Sequence, residues 1–449
     1  MIENIENTMR RVLPSPFSIA VILTIIIIVL SLLLTNKSTL QILTSWEKGL
    51  WNPPLMNFAM QMMLMLVLGY VIALTNSFKN IIHQITKCCT TTAKAAALVA
   101  LATIIVSFLN WGLGLVFGAI LARKVGEYAV ENNINLNYPL IGASGYSGLM
   151  VWHGGLSGSI PLKIAESNHF SEIISNQVLL DKLPLEGINF SETVFSTMNL
   201  TTSILLLILI PAVLFYIGKI KPAGVSFEFK KSENPTIKKE IIGAERIDYS
   251  QYFSKFIGGV ILFIVIRKGI LAESLSFINP NFVNLSLLAL ALFLHDNFNT
   301  FLSAVQNAMS SASGILIQFP LYFGIMGIMN DSGLVDIFAN FFVSISNTTT
   351  YPIFTMLSGG LVNIFVPSGG GQWAVQGIIV LQSAVDLNVS IPKSIMALVY
   401  GDQLTNMLQP FWALPLLGIT QLKAKEILPY TIVIMFVGII IFSTCLLLF

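Results

Sequence analysis

Charge is what this sequence has least of. Only 10% of its 449 residues are Asp, Glu, Lys or Arg, where a soluble domain carries about 25%. So few charges cannot cover a water-facing surface, so lipid must be the solvent for much of the chain. A net charge of +2 gives no reason to expect a nucleic-acid partner. Cysteine is scarce as well. Cys88, Cys89 and Cys445 cannot build a disulfide framework. Cys88 and Cys89 fall in a loop expected inside the cell, with no His or second Cys pair beside them. They read as reduced thiols rather than a palmitoylation or metal site. H-E-x-x-H and G-x-S-x-G are both missing, which leaves an intramembrane enzyme as a remote reading. A Ser-Gly-Gly-Gly run occurs at 368–371, but no Lys-Ser/Thr follows it, so it is no phosphate loop. No cofactor is expected, and no metal beyond Na+.

Apolar sequence is abundant, at 55% of residues. A spanning helix needs about 20 apolar residues. Segments 17–35, 55–75, 194–216, 255–275 and 427–449 meet that need. Segment 282–294 is short, and 313–329 is nearly a full span. The run 17–35 is longer than a signal-peptide core and no A-x-A-like site follows it, so it reads as a retained span. Segment 37–54 carries Leu40, Leu43, Trp46 and Leu50 at helical spacing beside Trp51, which suits a helix lying in the interface. Four further apolar stretches, 95–121, 138–162, 351–385 and 394–420, are interrupted by Gly, Pro, Asn or Ser.

Charge orients these spans. If 95–121 and 351–385 are re-entrant hairpins returning to the side they entered, the larger share of the 24 Lys and Arg lies inside. The N-terminus is then cytoplasmic, and 163–192 and 330–350 are outside, as the positive-inside rule expects. The mixed-charge stretch 217–254 reads as a cytoplasmic linker between two halves. Four marks recur in order with near-equal spacing, Gln61, Asn110, Tyr146 and Pro161, then Gln318, Asn363, Tyr400 and Pro415. The expected fold is therefore an all-α polytopic membrane protein of two inverted repeats, each with a hairpin and a discontinuous helix. Residues 1–216 form the first repeat, 217–281 the linker with a connecting helix, and 282–449 the second. Paired broken helices point to a transporter with its substrate near the bilayer midplane. A passive channel is disfavoured, since no ring of charged residues is visible.

Polar residues concentrate in four stretches. The first is Asn110-Trp111-Gly112-Leu113-Gly114, and the second runs from Trp152-His153 through Gly155, Ser157 and Ser159. The third covers Asn363 and Ser368, Gly369, Gly370, Gly371, Gln372 and Trp373. The fourth runs from Asp402 through Asn406 to Gln409. A half-helix starting near Gln372 would offer unpaired N–H groups and a positive dipole end to a carboxylate. The glycines would let backbone approach a ligand; at Gly112 and Gly114 helix packing is an equal reading. Asp402, a carboxylate inside a broken span, marks function by default, as a Na+ ligand or a proton acceptor. Asn110, Asn363 and Asn406 would add side-chain carbonyls for that cation, or satisfy broken backbone. His153 sits in the first broken helix and could handle a proton. His83, His169 and His295 are expected at solvated loops or span ends. No Lys or Arg lies in the four stretches, which favours a monocarboxylate over a dicarboxylate.

These stretches resemble the short-chain fatty acid transporter family, within the wider ion-transporter superfamily. The resemblance runs over nearly the whole chain. It rests most on Asn110-Trp111-Gly112 with Gly114, on Gly155 to Pro161, on Val366-Pro367-Ser368-Gly369-Gly370-Gly371, and on Asn406-Met407 with Gln409-Pro410-Phe411-Trp412-Ala413-Leu414-Pro415. It implies uptake of short monocarboxylates such as butyrate or acetoacetate, by symport with H+ or Na+, in a bacterial inner membrane. It also implies a homodimer with a fixed scaffold and a transport domain that carries both hairpins in an elevator-type motion. Neighbouring superfamily branches suggest an alternative, a transporter or exporter of dicarboxylates or amino-acid conjugates. The family pattern often has Glu at the position of Asp402, His at that of Gln372 and glycine at that of His153. The last two departures bear on the coupling ion and on substrate size.

Overall fold

In a computed structural model of the chain, the described residues are 14–75, 84–166, 169–174, 177–184, 186–222, 243–272, 277 and 280–449. Arg10, Arg11, His83 and most of the expected linker, 223–242, lie outside them. The described residues form twenty α-helices and no strand. In chain order these are α1 (Pro16–Leu34), α2 (Thr39–Leu50), α3 (Pro53–Ala73), α4 (Thr92–Leu109), α5 (Trp111–Glu131), α6 (Tyr138–Tyr146), α7 (Ser159–Ile164), α8 (His169–Ile173), α9 (Gln177–Leu180) and α10 (Thr197–Ile220). They continue with α11 (Glu245–Asp248), α12 (Gln251–Ile270), α13 (Pro280–Leu294), α14 (Phe298–Ser332), α15 (Leu334–Ser344), α16 (Tyr351–Phe365), α17 (Gly369–Asp386), α18 (Ile391–Asn406), α19 (Pro410–Thr420) and α20 (Ala424–Leu448). Five of the described apolar stretches are long enough to cross a bilayer: Phe17–Leu34, Thr39–Ile72, Thr92–Leu109, Thr197–Ile220 and Ala424–Leu448. The chain is a multi-pass membrane protein.

Local chemistry places the helix ends. Ser15, Asn52, Thr91, Asn110, Ser196 and Ser368 each accept a backbone N–H from the first turn they precede, a cap worth about 1 kcal/mol. Three departures from the sequence reading stand out. The apolar segment 313–329 is part of a 35-residue helix, α14. Its first half is polar, which hides it from a hydropathy window, yet Asn297 and Thr300 cap it reciprocally. Gly333, at φ 78°, ends it. Segment 330–350, read as a loop, contains the amphipathic helix α15. The limb α5 also outruns the expected 121, because Arg123 and Lys124 pair with Glu127 at 2.6 and 2.7 Å and carry the helix past its apolar part.

Two helix hairpins form. In the first, α4 and α5 turn at Asn110, and Gly114 and Gly118 lie directly against Ser107 and Thr103. In the second, α16 and α17 turn at 366–368. Tyr351 donates to the Val380 carbonyl at 2.8 Å, and Gln376 Nε2 to Ser358 Oγ at 3.0 Å. Two broken helices pass between the hairpins. The first is α6, a 3-10 turn (Ser147–Met150), a non-helical stretch and α7; the second is α18 and α19 with a break at 407–409. They run antiparallel. Tyr138 donates to the Thr420 carbonyl at 2.9 Å, Tyr146 to the Asn406 carbonyl at 2.8 Å, and His153 N–H to Gln403 Oε1 at 3.0 Å.

Each hairpin tip is tied to the break beside it. Trp111 N–H donates to Ser157 Oγ, and Leu156 N–H to the Phe108 carbonyl, both at 2.8 Å. Gln409 Nε2 donates to the Asn363 carbonyl. A second group of helices, α1, α2, α3, α13 and α14, packs alongside. There Gly49 meets Gly324 and Gly327, the close approach that small residues permit between membrane helices.

Candidate functional site

The breaks and tips converge on a buried pair. Asp402 and His153 are 1% and 0% exposed, and His153 Nδ1 lies 2.5 Å from Asp402 Oδ2. His153 Nε2 accepts the Ile160 N–H at 3.2 Å. That nitrogen therefore carries no proton, and the neutral ring has its hydrogen on Nδ1, facing the carboxylate. Nδ1–H is therefore the partner of that carboxylate oxygen. Asp402 Oδ1 receives only Asn406 Nδ2, at 3.2 Å. Gly369, the first residue of α17, lies directly against both members of the pair.

Three amides line the second tip and its break, and a backbone carbonyl orients each. Asn363 Nδ2 donates to the Asp402 carbonyl at 2.9 Å, and Gln372 Nε2 to the Gly359 carbonyl at 2.7 Å. Gln409 Nε2 donates to the Asn363 carbonyl. Reversing any of these amides would set oxygen against oxygen. The consequence is that Asn363 Oδ1, Gln372 Oε1 and Gln409 Oε1 are buried without hydrogen-bond partners among the described residues. Buried polar atoms are normally paired, and exceptions ask for a reason. Unpaired oxygens of this kind are the ligand type a hard cation takes.

At the first tip the chemistry changes. Asn110 Oδ1 is occupied, accepting Leu113 N–H at 2.9 Å. Gly112 sits against Met65, Gly114 against Ser107 and Gly155 against the Phe108 carbonyl. These three glycines serve close packing. Trp111 enters an aromatic cluster, with ring centroids 5.7 Å from Trp152 and 5.3 Å from Trp412. Trp152 stacks on His153 at 4.4 Å and 15°, so the cluster adjoins the Asp402–His153 pair.

The structure thus gathers Asn363, Gly369, Gln372, Asp402, Asn406 and Gln409 at the second tip, and Trp111 and Ser157 at the first. Ser368 caps α17 by accepting Gly371 N–H at 3.2 Å. Gly371 packs against Met326, Gly370 is exposed with open space around it, and Ser159 opens α7. Trp373 lies apart, donating to His169 Nε2 at 2.9 Å. Two histidines expected to be solvated are buried. His169 is 4% exposed and held by Trp373, and His295 is 8% exposed, with Nε2 3.1 Å from the Val71 carbonyl. Each partner is far away in sequence, so no local pattern announces the burial. Sequence reasoning did not single out Trp152 and Trp412. Their signal was adjacency, one preceding His153 and the other following Gln409-Pro410-Phe411.

Residues 1–449 match the family model described as short chain fatty acid transporter. The chain belongs to that family. A member from Escherichia coli K12, named as a candidate short-chain fatty acid transporter, is 33% identical over 98% of both chains. One from Haemophilus influenzae Rd with the same name is 32% identical over 94% of this chain and 93% of its own. Membership of the short-chain fatty acid transporter family makes the chain a transporter rather than an enzyme. Two solved transporters align more loosely. YdaH of Alcanivorax borkumensis shares 14% identity at a TM-score of 0.47, over 96% of this chain and 98% of its own. MtrF of Neisseria gonorrhoeae, described among antimetabolite efflux pumps, shares 13% at 0.41, over 97% and 96%. Likenesses of that size do not bear on the function of this family member.

Proposed function

We propose that the protein is a secondary active symporter that brings short monocarboxylates, such as butyrate or acetoacetate, into the cell with a cation. The observation that carries this reading is the buried Asp402–His153 pair, with unpaired amide oxygens in the same region, where two breaks and a hairpin tip meet. A carboxylate at that depth beside a neutral imidazole keeps its charge uncompensated, which is costly unless something neutralises it. A cation supplies that neutralisation, and a second anion nearby makes its presence more favourable still. Na+ would be held by Asp402, Asn363, Gln372 and Gln409, with Asn406 orienting Asp402. A proton would be held on Asp402 itself, with His153 as its neighbour. Asn110, whose oxygen already caps its own helix, is the weaker candidate ligand. The acid would bind beside the first tip, around Trp111 and Ser157, with the glycines of the second tip at 369–371 facing it.

Three architectural readings accompany it. The halves 1–216 and 282–449 are inverted repeats, a reading supported by the antiparallel broken helices and by the order Tyr146–Pro161 and Tyr400–Pro415. The hairpins are re-entrant, and they move with the broken helices as a transport domain against the group α1, α2, α3, α13 and α14, in a homodimer. The N-terminus lies on the cytoplasmic side of a bacterial inner membrane.

The test is uptake of radiolabelled butyrate into proteoliposomes under imposed Na+ or pH gradients. Accumulation above equilibrium under one gradient is expected. Absence of gradient-driven accumulation for every C2–C6 acid would sink the proposal.

A further inference from the structure

We infer that Trp152 and Trp412, in the aromatic cluster beside the Asp402–His153 pair, bind the carboxylate of the transported acid through their indole N–H groups. The inference rests on the symport reading and names the residues that hold its substrate.

Both indoles are buried, at 2% and 3% exposure, and neither Nε1–H has a partner among the described residues. An indole nitrogen only donates. Leaving such a donor buried and unpaired costs about 1–3 kcal/mol, and here two occur on rings whose centroids are 6.2 Å apart. An N–H directed at a neighbouring ring recovers only part of that cost. A carboxylate, with two oxygens and about four acceptor positions, can take both donors at once.

The surrounding rings pack directly on one another. Trp111 stands edge-on to Trp412 at 5.3 Å, and Phe58 lies 6.1 Å from Trp111 and 6.2 Å from Trp412. Phe319 stacks on Phe411 at 4.0 Å and lies 6.4 Å from Phe58. These rings come from α3, α14, α19, the first tip and the first break, so the acid reaches the two indoles only as those elements part. No Lys or Arg lies in the four polar stretches, so the anion relies on neutral donors. The stack of Trp152 on His153 sets those donors beside the Asp402–His153 pair.

A third indole with a buried, unpaired N–H, that of half-buried Trp46, lies away from the cluster against Gly324. It provides an internal control. Purified full-length protein in nanodiscs would be titrated with butyrate and with 1-butanol. Trp152→Phe and Trp412→Phe keep the ring and remove the donor. Each should weaken butyrate binding about 10-fold and reduce the preference for butyrate over 1-butanol, while Trp46→Phe leaves both unchanged. In wild-type protein with 15N-labelled indoles, butyrate should move two of the six tryptophan N–H resonances downfield and 1-butanol should not. That measurement needs no variant to fold. Butyrate affinity unchanged in both Phe variants, or indole resonances that butyrate does not move, would overturn the assignment while leaving the transport reading intact. Wild-type protein that binds no C2–C6 acid overturns both.

Discussion

At the first hairpin tip the chain reverses on one residue, Asn110, and fills every gap it makes. The side chain caps its own helix, and the glycines that follow are pressed against Met65 and Ser107. At the second tip the chain takes three residues to turn, and Gly370 has nothing near it. The unpaired atoms also differ. Beside the first tip they include the indole N–H groups of Trp152 and Trp412; at the second they include the amide oxygens of Asn363, Gln372 and Gln409. On the proposed function, the first set would serve the anion and the second the cation.

The strongest way to break this comparison is Asp402→Asn. Gradient-driven accumulation of butyrate in proteoliposomes should fall by about 100-fold, the scale of losing one partner from a buried charged pair. Equilibrium butyrate binding in nanodiscs should stay within a few-fold of wild type. Equal loss of both would show that the two sets of atoms form a single site. Asn363→Ala comes next. It removes one oxygen from the cation side, so the half-saturating cation concentration should rise about 10-fold while the KM for butyrate changes little. A KM effect as large as the cation effect contradicts the division.

Stability sharpens the packing side of the contrast. Gly118→Leu drives a side chain into Thr103 and the Gly145 carbonyl and should cost about 1–3 kcal/mol, read as a lower Tm. Gly370→Ala enters open space in a helix and should raise Tm slightly, since alanine is favoured over glycine there by up to about 1 kcal/mol. The smallest effect concerns orientation. Cys88 is exposed and Cys89 buried, and burial pushes the Cys89 thiol up to about 12. A membrane-impermeant maleimide near neutral pH should therefore modify Cys88 alone, and only from the cytoplasmic face. Modification from the other face would invert the whole topology.

Much of this plan was legible in the sequence, and the reasons are local. Asn110, Pro367 and the glycines at 369–371 interrupt apolar runs at the points where the chain turns. Pro161 and Pro415 mark the second segments of the broken helices. Features that depend on distant partners were hidden. The first half of α14 reads as polar loop because Asn299, Ser303 and Asn307 mask a helix that only its caps betray. His169 and His295 looked solvated because Trp373 and Val71, which bury them, lie far along the chain. The aromatic cluster draws on residues 58, 111, 152, 319, 411 and 412, and no window of sequence contains more than two of them. A tryptophan near a membrane is first read as an interfacial anchor, and only its neighbours reveal otherwise.

The helix α14 has one further consequence. Its 35 residues extend about 52 Å at 1.5 Å per residue, against a hydrocarbon layer of about 30 Å. Slanting within the usual range of up to about 40° absorbs only part of the excess, so several polar turns must project beyond the lipid. A thicker membrane would draw those turns inward and a thinner one would release them. Phe319 and Tyr322 on the same helix pack against Phe411, so on the proposed function acyl-chain length in the surrounding lipid would reach the aromatic cluster mechanically.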